Sequence, residues 1–145
     1  MNDPAAMPYA ISLLGVEHLR AGQLEVASDE LEQAVKLLPG RPENRSNLAF
    51  LMYLKGQTER GLQEVRKALQ LDAGRPKTRL VFGLLLLQQG SHDEEAIRQL
   101  RLASEETPEA HLVLAQHYDR LGQAPEAAKE RRAYEITSMG FLAAK

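Results

Sequence analysis

The chain has 145 residues, 43% of them apolar and 26% charged, with a formal net charge of −2 and no cysteine. That length suits one domain, able to bury roughly 68% of the surface its unfolded form exposes. A pI near 6.1 argues against general attraction to nucleic acid or anionic lipid, and the missing cysteines exclude disulfides and thiolate metal sites.

Residues 1–7 read as a leader, with neither the basic start nor the apolar run of a signal peptide. This favours a cytoplasmic protein. Residues 8–41 form a first helix–turn–helix unit. Pro8 suits a first helical turn, where its missing N–H would go unpaired anyway. Ile11, Leu14 and Leu19 follow on one face with Gly15 and His18. Gly22 stops that helix, and a second runs from near Leu24 through Ala27, Leu31, Ala34 and Val35 to Leu37, before Pro39-Gly40.

Residues 42–75 repeat the plan. Leu48, Ala49, Leu51 and Met52 mark one helix, Gly56 ends it, and Leu62, Val65, Ala68, Leu69 and Leu71 mark its partner. Residues 76–107 do so again, with Phe82, Gly83 and Leu86, a stop at Gly90, then Ala96, Leu100 and Ala103. Here Gly90–Ala96 is one residue longer than Gly22–Ala27, an insertion that loops absorb cheaply. Ser91 or Asp93 is expected to cap the following helix. The longest apolar run, Leu80–Leu87, is broken at Gly83 and falls far short of the ~20 residues a membrane span needs.

The fourth unit, 108–138, carries Leu114, Ala115 and Tyr118, a stop at Gly122, then Ala127, Ala128 and Tyr134. Arg131 stands where the earlier units have Leu31, Val65 and Leu100. An unpaired charge is costly to bury, so this last helix is expected to be a polar cap. Residues 139–145 are left as a tail.

The punctuation between units also recurs. Leu38-Pro39-Gly40-Arg41-Pro42-Glu43-Asn44-Arg45 returns 34 residues later as Asp72-Ala73-Gly74-Arg75-Pro76-Lys77-Thr78-Arg79, with Gly, Arg, Pro and the second Arg kept. A fixed period of this size marks a stacked helical array.

These residues resemble the tetratricopeptide repeat (TPR) family over nearly the whole chain, from Pro8 to about Tyr134. Unit one supplies Leu14, Gly15, His18, Gly22, Ala27, Leu31, Ala34 and Pro39 to the family's pattern, departing at His18, which is expected in a core slot. Unit two supplies Leu48, Ala49, Met52, Gly56, Gly61, Val65, Ala68 and Ala73. Unit three supplies Phe82, Gly83, Leu86, Gly90, Ala96, Leu100, Ala103 and Pro108, and unit four departs at Arg131 and Tyr134. The resemblance implies an all-α fold, a right-handed α-solenoid of about four TPR-like helix–turn–helix repeats. Small residues in the shared columns would let paired helices approach closely.

The resemblance further implies that the first helix of each repeat lines a concave groove. Unit one would offer Leu13 and Val16, and unit two Asn47, Phe50, Tyr53 and Leu54. Unit three would offer Lys77, Leu80, Val81, Leu84 and Leu87, and unit four Leu112, Val113 and Gln116. This wall is largely apolar, and an exposed patch of that size implies a partner. A few hundred Å² of it would contribute roughly 5–10 kcal/mol before the costs of association. The family's clamp for a terminal carboxylate keeps two of five positions, Asn47 and Lys77, with Ser12, Val16 and Val81 at the others. An amphipathic helix or extended apolar segment of another protein suits the groove better, with Phe50, Tyr53, Leu84 and Leu87 as anchors. The alternative is a self-associating assembly element, a homodimer included, whose groove is filled by another copy or by its own tail at Phe141 and Leu142.

Weaker signals point elsewhere. Arg45 and Arg79 share a column, as do Arg41 and Arg75; pairing with Glu43, Glu109 or second-helix acids is expected rather than an anion site. His111 and His117 are six residues apart, on different helical faces, so with Asp119 they do not make a zinc site. No nucleophile–base arrangement, phosphate-cradling loop or carboxylate pair is present. Neither catalysis nor a cofactor is expected.

Overall fold

The computed structural model describes the backbone of residues 6–143 and the side chains of residues 7–138. Among these residues the secondary structure is all helical: α1 (Ala6–Arg20), α2 (Leu24–Leu37), α3 (Pro42–Leu54), α4 (Thr58–Leu71), α5 (Pro76–Gln89), α6 (Asp93–Ser104), α7 (Glu109–Arg120) and α8 (Ala124–Ala143). They group into two compact units, Met1–Gly74 and Arg75–Lys145. The division falls inside the second Gly-Arg-Pro, between Gly74 and Arg75.

In the first unit α1 pairs with α2 and α3 with α4, while α2 packs against α3. The turn inside each hairpin closes in the same way. Gly56 takes φ +74°, a left-handed geometry that costs a residue with a Cβ about 1–2 kcal/mol. The Gln57 N–H then donates to the Met52 carbonyl at 2.8 Å, and the Gln23 N–H to the His18 carbonyl at 2.9 Å. Helix-end carbonyls are thereby satisfied within the turn. Ala27, Leu31, Leu48, Leu51 and Met52 form the core, flanked by Leu19, Leu24 and Val35.

The second unit pairs α5 with α6 and α7 with α8, with α6 against α7. Its core is Leu100, Ala103, Ala110 and Leu114. The Gln123 N–H to Tyr118 carbonyl bond, 2.9 Å, reproduces the turn of the first unit. The longer α5–α6 turn does not; there Gly90 bonds back to Leu86 at 3.0 Å, and Ser91 and His92 carry the chain on. Neither Ser91 nor Asp93 caps α6, which has no side-chain cap bond and begins after His92. Asp93 is its first residue, and Asp93, Glu94 and Glu95 fill the first turn, where the helix dipole favours negative charge.

The small-residue columns do what close helix pairing requires. Ala27, Ala34, Ala49, Ala68, Ala96, Ala103 and Ala127 are fully buried. Two further sequence expectations need correction. Leu14, expected on a core face, is 50% exposed, whereas Leu48 and Leu114 in the same column are buried. Leu48 packs with Ala27 and Leu31 of α2, and Leu114 with Leu100 and Ala103 of α6; among the described residues no helix comes before α1 to cover Leu14 in the same way. His18 is not in the core but half-buried, with Nδ1 2.5 Å from the Glu30 carboxylate. The tail is helical backbone as far as Ala143, while the side chains of Phe141 and Leu142, the candidate groove fillers, lie outside the described residues.

Candidate functional site

The candidate surface is built on the first helix of each hairpin. In the first unit Leu13 on α1 is 68% exposed and Leu54 on α3 is 45% exposed. Val16, Asn47, Phe50 and Tyr53 are half-buried. The rings of Phe50 and Tyr53, one helical turn apart, stack with centroids 6.1 Å apart and an interplanar angle of 17°. Tyr9 sits beneath the Arg41 guanidinium, 4.5 Å from its ring centroid, and its hydroxyl accepts a hydrogen bond from Arg41 Nη1 at 2.7 Å. Ser12 donates to Asn44 Oδ1 at 2.5 Å, which ties α1 to α3 and holds both walls in register.

In the second unit Lys77 on α5 and Leu112 and Gln116 on α7 are exposed. Leu80, Leu87 and Val113 are partly buried and pack against the Leu100–Leu114 core, so part of each serves packing. Leu84 is half-buried. Val81, placed on the groove wall by sequence, is 7% exposed and has almost no surface to offer. Leu85, absent from the sequence reading, is fully buried. Helix α5 is apolar on nearly every side, and periodicity alone could not separate wall from core.

A recess of about 470 Å³ opens beside α7, lined by Leu112, Val113, Ala115, Gln116, Asp119 and Arg131. Arg131 pairs with Asp119 there. Sequence reading put Arg131 on a solvated face and missed that it borders this recess. The signal was present, since Arg131 replaces a leucine or valine in its column and Asp119 lies one helix away.

Electrostatics within the hairpins follow a second column. Glu30, Glu64 and Glu130 occupy the same place in their second helices. Glu30 meets His18; Glu64 accepts from Arg45 at 3.0 Å. Glu130 is 4% exposed and accepts from Arg101 at 2.9 Å and lies 2.8 Å from His111 Nδ1. Burial pulls the Arg101 guanidinium down, but hydrogen bonds to Glu130 and Tyr118 and attraction to both hold it above the ordinary arginine value. Arg45 therefore serves its hairpin, as the pairing with second-helix acids implied. Among the described residues no group of three or more His, Cys, Asp or Glu side chains could hold a metal ion. His111 faces Glu130, while His117 is buried with Nε2 4.0 Å from Asp93. No described helix is long and apolar enough to cross a membrane.

No known family model and no curated protein matches the sequence. Solved structures do. A thermophilic TPR protein of Thermus thermophilus superposes with TM-score 0.79 at 24% identity, over 91% of this chain and 75% of that one. MamA superposes with TM-score 0.73 at 16% identity, over 94% of this chain and 81% of that one. The Type III secretion translocator chaperone SycD of Yersinia enterocolitica gives TM-score 0.62 at 17% identity, over 90% and 93%. With the 34-residue period, the paired helices and these neighbours in agreement, the chain has the tetratricopeptide-repeat fold.

Proposed function

We propose that this chain is a non-enzymatic protein-interaction module that takes an amphipathic or apolar segment of another polypeptide against the first helices of its repeats. The observation that carries the reading is apolar exposure where a polar surface would be expected. In the first unit Leu13 and Leu54 stand more than two-fifths exposed on those helices, with the stacked Phe50–Tyr53 pair on α3, and in the second unit Leu112 does the same on α7. Aromatic side chains are favoured anchors because they bring large area at low entropic cost. Phe50, Tyr53, Leu84 and Leu87 are the anchors in this reading, and Asn47, Lys77 and Gln116 supply polar contacts to the bound backbone. The shared fold with SycD, a chaperone, supports a role in contact with other polypeptides.

The test is capture of the partner from source lysate, followed by titration of the captured segment. Phe50→Ala and Leu84→Asp should each weaken binding at least about tenfold, a loss of roughly 1.4 kcal/mol or more. Unchanged affinity in both variants would remove these helices from the binding surface.

A further inference from the structure

The first unit's wall has two apolar ridges with polar groups between them. Leu13 and Val16 form the ridge on α1, and Phe50, Tyr53 and Leu54 the ridge on α3. Ser12 of α1 donates across to Asn44 Oδ1 of α3 at 2.5 Å, and Asn47 stands half-buried one turn further along α3. Ser12 thereby spends its O–H, so its oxygen is left as an acceptor, while the Asn47 amide both donates and accepts. A helix laid on this wall satisfies its own backbone and would hold those polar groups against hydrocarbon. A segment whose backbone groups are unpaired can bond to them.

Charge narrows the partner further. Arg41 lies over the Tyr9 ring and bonds its hydroxyl, with Glu43 3.9 Å away. Arg20 is 3.7 Å from Glu17, and Lys55 is 3.2 Å from Glu25. These bordering cations already have counter-charges inside the unit, so a charged side chain seated here would give up water without gaining a partner. The Phe50 and Tyr53 rings lie within 17° of parallel and make a firm aromatic ridge beside the furrow. Aromatic-lined furrows of this kind take polyproline II segments, whose backbone has no internal hydrogen bonds and whose shape is preset at little entropic cost.

We propose that the first unit binds an uncharged, proline-bearing segment of another polypeptide in the polyproline II conformation. Its pyrrolidine rings pack on Phe50 and Tyr53, a backbone carbonyl accepts from the Asn47 amide, and an N–H from a non-proline position donates to Ser12 Oγ. This partner class rests on the peptide-binding reading above and narrows it to one conformation.

Two fluorescein-labelled probes, titrated against the full chain by anisotropy, decide it. One is about twelve residues of repeating Pro-Pro-Leu; the other is about eighteen residues of Leu, Ala, Lys and Glu patterned as an amphipathic helix. The proline-rich probe should bind at least about tenfold more tightly, and exchanging its central Leu for Glu should weaken it about tenfold. Phe50→Leu keeps apolar bulk but removes the ring, and should weaken the proline-rich probe about threefold to tenfold. Asn47→Ala should weaken it about threefold. Helical circular dichroism should be unchanged in both variants. Tighter binding of the helical probe, lost in Phe50→Leu, would overturn the polyproline assignment and leave the groove reading standing. No binding of the proline-rich probe at about 1 mM, or binding indifferent to both variants, would overturn it too, while capture from lysate tests the groove reading separately. Asn47→Ala keeps the comparison decisive where Phe50→Leu fails to fold.

Discussion

Gly83 on α5 lies so close to Leu100 on α6 that a Cβ built on it would sit 2.6 Å from Leu100 Cγ and 3.3 Å from the Ala96 carbonyl oxygen. The first distance is far inside van der Waals contact, and the second involves backbone that cannot swing aside. Gly83→Ala gains about 1 kcal/mol of helix propensity against an overpacking cost of about 1–3 kcal/mol. The net expectation is a loss of up to about 2 kcal/mol in urea unfolding. Removing the opposing γ carbon relieves the clash, so the double variant with Leu100→Ala should lose less than the two single losses added together.

The glycines of the chain divide by backbone angle rather than by recurrence. Gly56 stands at φ +74°, so Gly56→Ala should cost about 1 kcal/mol or more. Gly40 belongs to the repeated Gly-Arg-Pro, yet it is not among the positive-φ residues, and a Cβ added there would meet no atom within 4 Å. Gly40→Ala should be neutral or stabilise by up to about 1 kcal/mol, by narrowing the unfolded ensemble. Chemical denaturation of both variants, at constant m-value, decides it.

Glu130 joins three helices, accepting from Arg101 of α6 and facing His111 of α7 while 5% of its side chain is exposed. Glu130→Gln removes the charge of the buried partner, while the half-exposed Arg101 can turn to water, and should cost about 1–2 kcal/mol. Arg131→Ala removes an ion pair whose members are about half exposed, and should change stability by less than about 1 kcal/mol. Arg101 adds a pH signature. Its pKa in the folded state is raised, so its contribution is complete below the ordinary guanidinium range and lost only as pH rises through the folded value. The stability difference between wild type and Arg101→Met should therefore be flat from about pH 8 to 10.

How much of this was legible in sequence depended on whether one residue type had one physical use. Gly22, Gly56, Gly90 and Gly122 are all left-handed, and each was visible as a helix stop because few other residues fit there. The small columns were equally legible, since Ala27, Ala96 and Ala127 recur at the spacing that helix contact demands. Leu14 was not, because the residues that bury Leu48 and Leu114 come from the helix before them, and a period says nothing about which members of a column are covered. Val81 and Leu85 escaped for a related reason: along the apolar run of α5, wall and core residues are the same kinds of side chain. The inserted residue at Gly90–Ala96 was visible, but its consequence, a turn without the closing bond that Gln23, Gln57 and Gln123 make in theirs, rests on hydrogen-bond geometry that composition does not carry.

Leu51 and Leu54 sit within one turn of α3 and separate binding from stability. Leu51 is fully buried in the first unit's core, whereas Leu54 is 45% exposed. Leu51→Ala should cost roughly 2–5 kcal/mol, transfer plus cavity, and lower partner binding through loss of folded protein alone. Leu54→Ser and Leu13→Ser remove apolar surface that the fold does not use, so unfolding should move by less than about 0.5 kcal/mol. If the first helices form the binding wall, the same two changes should each weaken the captured segment by about three- to tenfold, because side chains at a wall's edge contribute less than central aromatic anchors. Melting curves and binding isotherms on the same preparations supply both axes. Serine variants that lose stability and affinity in proportion would show that Leu13 and Leu54 act through folding, and the exposed leucines would then carry no recognition.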